Sequence, residues 1–143
     1  MRLRDLMKSD ICPYLFVYGT LRRGGGRDLR DLIGVSPKFL GSATAAGRLY
    51  DLGSYPGMCE PSSPGERVTG ELYQLGDVLT ALPRIDAYED EGCHPEDGAL
   101  FRRCLRDVEL DGGARREAWA YLYQGETAQG QHIVSGDYFK RRA

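Results

Sequence analysis

Hydrophobic positions along the chain change their spacing several times, and each change predicts a different element. Tyr14-Leu15-Phe16-Val17-Tyr18 is an unbroken apolar run between Pro13 and Gly19. Its length and flanks predict a buried strand. Gly19 to Gly26 follows as a loop, and Leu29, Leu32 and Ile33 then predict a short helix over 27–33 that stops at Gly34. Phe39 to Leu52 shows broken alternation and predicts one extended strand of small residues. The clusters Gly53-Ser54-Tyr55-Pro56-Gly57 and Pro61-Ser62-Ser63-Pro64-Gly65 have the composition of turns. Arg67 to Leu75 alternates, with Val68, Gly70 and Leu72 on one face. Phe101 to Leu110 and Glu117 to Tyr123 predict two further strands, joined through the hairpin signal Asp111-Gly112-Gly113.

The sum is five to seven strands and two short helices, an α+β chain in which strands dominate. Hairpin spacing in the second half predicts an antiparallel or mixed sheet curled towards a barrel. Residues 1–13 read as an N-terminal tail and 14–143 as a single domain without internal repeats. The stretch from Gly125 onwards is polar, and Lys140-Arg141-Arg142 within it reads as a solvated basic end.

Composition narrows the partners. The chain has 143 residues, 19 Lys+Arg against 21 Asp+Glu, and a net charge of -2. That balance excludes a whole-protein basic field for nucleic acid. The apolar runs are too short for a signal segment or a membrane span. Cys12, Cys59, Cys93 and Cys104 show no C-x-x-C spacing, so they read as reduced thiols of a cytoplasmic protein. His94 and His132 are isolated and read as surface residues, so no metal is expected. Neither a P-loop, a G-x-G-x-x-G turn nor a G-x-S-x-G elbow is present.

Two segments carry candidate chemistry. Leu75, Val78, Leu79, Leu82 and Ile85 fall on one face of a helix, and Glu89 lies on the same stripe, four residues beyond Ile85. Pro83 either interrupts this helix or begins a new segment of it. A carboxylate on a core-facing stripe is costly unless it is paired, protonated or set in a cleft. Burial raises its pKa, which suits a proton-abstracting group. The alternative reading is a helix end at which Glu89 turns outwards into solvent. Asp86 lies near the stripe edge. The second segment is Tyr18-Gly19-Thr20-Leu21, where the first strand ends. Glycine there lets a ligand approach the backbone, and successive N–H groups can form an anion-binding nest, with Arg22 and Arg23 adding positive charge. The alternative is a plain glycine-rich turn.

Taken in order, several motifs resemble the γ-glutamylcyclotransferase-like family. They are Tyr18-Gly19-Thr20-Leu21-Arg22-Arg23-Gly24, Leu49-Tyr50-Asp51-Leu52-Gly53 with Tyr55-Pro56-Gly57, Gly70-Glu71-Leu72-Tyr73 and Ile85-Asp86-Ala87-Tyr88-Glu89. Arg102-Arg103, Ala118-Trp119-Ala120-Tyr121 and Ser135-Gly136-Asp137-Tyr138 continue the similarity, which spans 14–138. The resemblance implies a mixed β-barrel flanked by helices. It also implies conversion of a γ-glutamyl amine or peptide into 5-oxoproline and a free amine, a transferase or lyase type of ring closure. Glu89 then matches the family's base, and Tyr18, Gly19, Thr20 and Leu21 match its substrate-binding loop. No cofactor is implied, and the partner is a small γ-glutamyl compound. The Tyr-Gly-Thr-Leu form is closer to the γ-glutamylamine branch. Phe101 departs from the tyrosine of many relatives, as do the triple glycine 24–26 and the acidic stretch 91–97. A binding protein on the same scaffold, or an enzyme removing a γ-glutamyl group from a natural product, stands as the alternative.

Overall fold

The structure is a computed structural model and describes residues 12–53, 55–89, 100–125 and 130–140. Eight strands are described: β1 (Tyr14–Val17), β2 (Lys38–Ala46), β3 (Arg48–Asp51), β4 (Pro56–Cys59), β5 (Arg67–Gln74), β6 (Phe101–Leu110), β7 (Arg115–Tyr123) and β8 (Gln131–His132). Two α-helices accompany them, α1 (Leu29–Ile33) and α2 (Val78–Glu89), with a 3₁₀ turn at Tyr138–Lys140. The order β1-β5-β2-β6-β7 closes on itself where Leu15 of β1 pairs in parallel with Trp119 of β7. The result is a five-stranded barrel. β4, β3 and β8 extend the sheet outwards from the far end of β7.

The continuous apolar run of the first strand has a physical reason. Phe16 and Tyr18 point into the barrel, against Ala43, Ala45, Val68, Leu72, Val108, Ala118 and Ala120. Alanines on β2 and β7 leave room for the larger side chains in so narrow a closed sheet. Leu15 and Val17 point outwards and are covered by Leu29, Ile33, Leu82 and Ile85 of the two helices. Both faces of β1 are therefore buried. The short helix begins at Asp28, whose side chain accepts from the Arg30 amide at 2.9 Å, and ends at Gly34 with φ 85°. Such a positive φ suits glycine at a helix end.

Four expectations require correction. The stretch from Phe39 to Leu52 is two strands, divided at Gly47, where a Cβ would lie 2.8 Å from the Met58 side chain. Pro56 and Gly57 belong to β4, paired with Asp51 and Tyr50, and the turn lies before them, closed by Leu52 N–H to the Tyr55 carbonyl at 3.0 Å. Helix α2 runs through Pro83 without a break. The proline ring has no N–H for the Leu79 carbonyl, but this side of the helix faces water: Leu79 is 68% exposed and so is not part of the buried stripe, whose place is taken by Ala81. The polar C-terminal stretch is not a free tail. Ile133 and Tyr138 enter the barrel core, β8 pairs with β3, and the Thr69 amide donates to the Gly136 carbonyl at 2.8 Å. His132 lies in that strand. The expected tail over 1–13 falls mostly outside the described residues, as do Cys93, His94, the acidic stretch 91–97 and Arg141-Arg142.

Candidate active site

The outer edge of β7 is shared by two strands. β1 pairs with it at Trp119, and β4 pairs with it at Leu122. Between these points the edge forks. The Tyr18 hydroxyl fills the gap, donating to the Tyr121 carbonyl at 2.5 Å and accepting from the Met58 amide at 3.2 Å. One phenol thus joins three strands where a ladder bond is missing. β1 and β4 come together closely at this point: a Cβ on Gly19 would lie 2.6 Å from the Pro56 ring. Only glycine allows that approach.

A cavity of about 190 Å³ opens at the fork, lined by the loop from Tyr18 to Leu21, the end of α2 and the starts of β4 and β6. Glu89 is the last residue of α2 and lines this cavity. Its placement follows from helical spacing, because Leu82 and Ile85 dock on the barrel and fix the rotation of the next turn. Tyr88, beside it, forms a 2.5 Å hydroxyl–hydroxyl bond with Thr20 Oγ1. The Arg27 guanidinium lies 5.3 Å from the centre of the Tyr88 ring. The Arg27 amide donates to the Thr20 carbonyl at 3.0 Å. Loop and helix end are thereby tied together.

Burial keeps the Tyr18 and Tyr121 phenols neutral. Burial holds Tyr18 well above its ordinary pKa of 10, and the nearby Glu89 charge adds to that. Burial likewise raises Tyr121, reinforced by its 2.5 Å bond to Asp86 and by the charges of Asp86 and Glu89, against the opposing Arg103. Asp86 is itself paired with Arg103 Nε at 3.2 Å. Among the described residues that line the cavity, Glu89 is the one carboxylate.

The loop is held from behind by a buried charged cluster. Arg22 binds Asp137 at 2.7 Å, approaches Glu71 at 4.0 Å, and stacks 3.9 Å from the centre of the Phe139 ring. Glu71 accepts the Arg23 amide at 2.8 Å and the Tyr73 hydroxyl at 3.1 Å. Arg22 is therefore neutralised beneath the loop, which corrects the expectation that it adds free positive charge above it. The bonds that shape the turn use the amides of Arg22, Arg23, Gly25 and Arg27; those of Gly19, Thr20 and Leu21 enter none of them. The Leu21 side chain packs towards the helices, so its backbone is what faces the cavity.

All five residues singled out in the sequence, Glu89 and Tyr18 to Leu21, surround this one cavity. Tyr18 contributes its ring and backbone, since its hydroxyl is engaged between β7 and β4. Sequence reasoning missed Tyr88, Tyr121, Glu71 and Asp137. Tyr88 had a signal, as it follows Ile85 by three positions. Glu71 and Asp137 stood in motifs of the family resemblance, but no local spacing showed their pairing with the loop, because their partners come from distant parts of the chain. Among the described residues no group of three or more His, Cys, Asp or Glu side chains converges as a metal site would require. No described helix is long and apolar enough to cross a membrane.

Comparison with known proteins agrees with this geometry. Residues 15–140 match the family described as Gamma-glutamyl cyclotransferase, AIG2-like. Over 114 residues the chain is 34% identical to the gamma-L-glutamyl-butirosin B gamma-glutamyl cyclotransferase of Niallia circulans, covering 78% of this chain and 67% of that protein. A candidate gamma-glutamylcyclotransferase of Vibrio cholerae is 34% identical over 134 residues, covering 89% of this chain and 96% of the other. The crystal structure of YkqA from Bacillus subtilis superposes with a TM-score of 0.67 at 21% identity, covering 91% of this chain and 40% of YkqA, and so shares the fold. The closed barrel, the matched span and these identities lead to one conclusion: the chain belongs to the Gamma-glutamyl cyclotransferase, AIG2-like family and is an enzyme of the cyclotransferase type.

Proposed function

We propose that the protein converts a γ-glutamyl amine or peptide into 5-oxoproline and a free amine, with Glu89 as general acid and base. The single observation supporting this reading is that Glu89 and the loop residues Gly19 to Leu21, whose amides enter none of the turn's bonds to described residues, line the same small cavity. The reaction is intramolecular. The substrate's α-amine attacks its own γ-carbonyl carbon, a C–N bond forms to close a five-membered ring, and the original amide C–N bond breaks. Nucleophile and electrophile share one molecule, so the enzyme's main task is to fold the substrate into an attacking shape. Glu89 takes a proton from the α-nitrogen and returns it to the departing nitrogen, leaving the enzyme unchanged. Loop amides hold the substrate's α-carboxylate or the oxygen that becomes negative during attack. The neutral phenol of Tyr121 adds a wall without charge.

A binding protein for an anionic group would gain little from a carboxylate in its cavity, which favours the enzyme. The similarity to the butirosin-related enzyme supports, as a second reading, removal of a γ-glutamyl group from a natural product. Cys12, Cys59 and Cys104 are free thiols, in keeping with a reducing, cytoplasmic setting. The test is release of 5-oxoproline from a panel of γ-glutamyl amines and peptides, followed by NMR. Glu89→Gln is expected to retain the wild-type melting temperature and lose about 10²–10⁴-fold in turnover. Unchanged turnover in that variant would remove Glu89 from the chemistry.

A further inference from the structure

One wall of the cavity is aromatic, and the ring closure itself does not need it. Phe101, the first residue of β6, packs edge-on to Tyr55 with ring centres 5.8 Å apart and an interplanar angle of 61°. On its other side it meets Tyr123 of β7 at 5.5 Å and 59°. Tyr55 and Phe101 line the cavity together with Glu89, while Tyr123 stands behind Phe101 as its cross-strand partner. All three rings are only partly buried, so they still present apolar surface. Edge-on neighbours lock one another's orientation, which makes the wall rigid before any ligand arrives.

Size and charge decide what this wall meets. A cavity of about 190 Å³ is small beside the roughly 300–1,000 Å³ of sites that enclose a whole drug-sized ligand. With the γ-glutamyl head against Glu89 and the loop, Tyr55 and Phe101 are the lining left to meet the substituent of the departing amine. A substituent bearing a carboxylate would meet no cation there among the described lining residues, and would feel the Glu89 charge. Two guanidiniums lie beside the cavity without lining it: Arg27 sits over the Tyr88 ring, and Arg103 binds Asp86 through Nε and lies 4.6 Å from the centre of the Trp119 ring, while its buried Nη1 has no partner among the described residues. We infer that this aromatic wall is a subsite for an uncharged aromatic or apolar substituent on the leaving amine, with Phe101 as the specificity-determining residue. This inference rests on the proposed cyclotransferase reading of the same cavity.

The experiment compares γ-glutamyl benzylamide, γ-glutamyl methylamide and γ-glutamyl glycine on the wild type and on Phe101→Ala. The wild type is expected to use the benzylamide at least about tenfold better, by kcat/KM, than the glycine compound. Phe101→Ala should lower kcat/KM for the benzylamide about tenfold and for the methylamide by less than about twofold. Taking this as a ratio of ratios cancels the different basicities of the two amines. An equal fall for both amides, or a preference for the glycine compound, overturns the subsite. If Phe101→Ala is recovered unfolded, Phe101→Leu is read the same way, with an expected differential of about threefold. If none of the three compounds is turned over, the cyclotransferase reading fails separately. The subsite is then decided by calorimetric binding of the two amides: a benzylamide preference that Phe101→Ala abolishes supports it, and equal affinities refute it.

Discussion

Tyr18→Phe removes one oxygen atom and tests the fork on which the cavity depends. The wild-type hydroxyl is in a site where the side chain is only 7% exposed. Its loss leaves the Met58 amide without this acceptor and the Tyr121 carbonyl without this donor. A buried donor stripped of its partner costs about 1–3 kcal/mol, and a carbonyl with a second lone pair costs less. The ring stays, so no cavity term of consequence is added. The expected total is about 2–4 kcal/mol, a substantial share of the roughly 5–15 kcal/mol that stabilises a domain. A chain of 143 residues has an unfolding entropy of about 0.3 kcal/mol/K, so the melting temperature should fall by about 7–13 °C. Thermal unfolding at neutral pH, followed by circular dichroism, provides the measurement. Tyr14→Phe is the control, since that hydroxyl has no bond to a described residue; it should shift the melting temperature by less than about 2 °C. A Tyr18→Phe shift as small as the control's would refute the argument that this phenol holds β1, β4 and β7 together.

Three further outcomes are expected. Tyr88→Phe should lower kcat/KM about tenfold through lost positioning of the loop against Glu89, and Thr20→Val added to it should cost little more; additive losses in the double-mutant cycle would show that the 2.5 Å bond does not couple the two elements. Tyr18, Tyr73 and Tyr121 all have raised pKa values, so the folded state keeps protons that the unfolded chain releases from about pH 10; stability should be level below that and fall above it, and Tyr121→Phe should flatten the alkaline limb of the melting curve, an unchanged slope arguing otherwise. Arg22→Met should destabilise by about 3–5 kcal/mol in urea unfolding, because it strands the buried carboxylates of Asp137 and Glu71, and a loss below about 1 kcal/mol would show those groups to be solvated.

The elements with strong local signals were legible. β1 was visible as an apolar run because both its faces are covered, and the β6–β7 hairpin was visible through alternation and Asp111-Gly112-Gly113, where Gly113 takes φ 96°. Glu89 could be found because helical spacing carried it onto the stripe of Leu82 and Ile85. What stayed hidden depends on contacts across the chain. Gly47 separates β2 from β3 because the Met58 side chain occupies the space a Cβ would need, and nothing local to Gly47 reveals that neighbour. The C-terminal stretch looked solvated because its anchors are single residues, Ile133, Asp137 and Tyr138, whose partners lie on β3, in the glycine loop and in the barrel core. Leu79 looked like core because the stripe was drawn without knowing how far the barrel surface extends beneath α2.

The position of the cavity follows from how one strand edge is divided. A closed five-stranded barrel has no free edge, yet β7 is longer than β1 and pairs beyond it with β4. Where one partner gives way to the other, backbone groups must find ligands outside the ladder. The Tyr121 carbonyl and the Met58 amide find the Tyr18 hydroxyl. The amides just after it, in the turn at Gly19 to Leu21, enter none of the turn's bonds to described residues. Helix α2 docks by Leu82 and Ile85 on the same outer face as Leu15 and Val17, and one further turn, about 5.4 Å of rise, brings Tyr88 to Thr20 and Glu89 to the cavity wall. The packing that stabilises the helix therefore also sets the distance between carboxylate and amides. Strand pairing, core packing and candidate chemistry meet at one place because the end of β1 terminates the barrel seam, supplies the loop and faces the end of the helix.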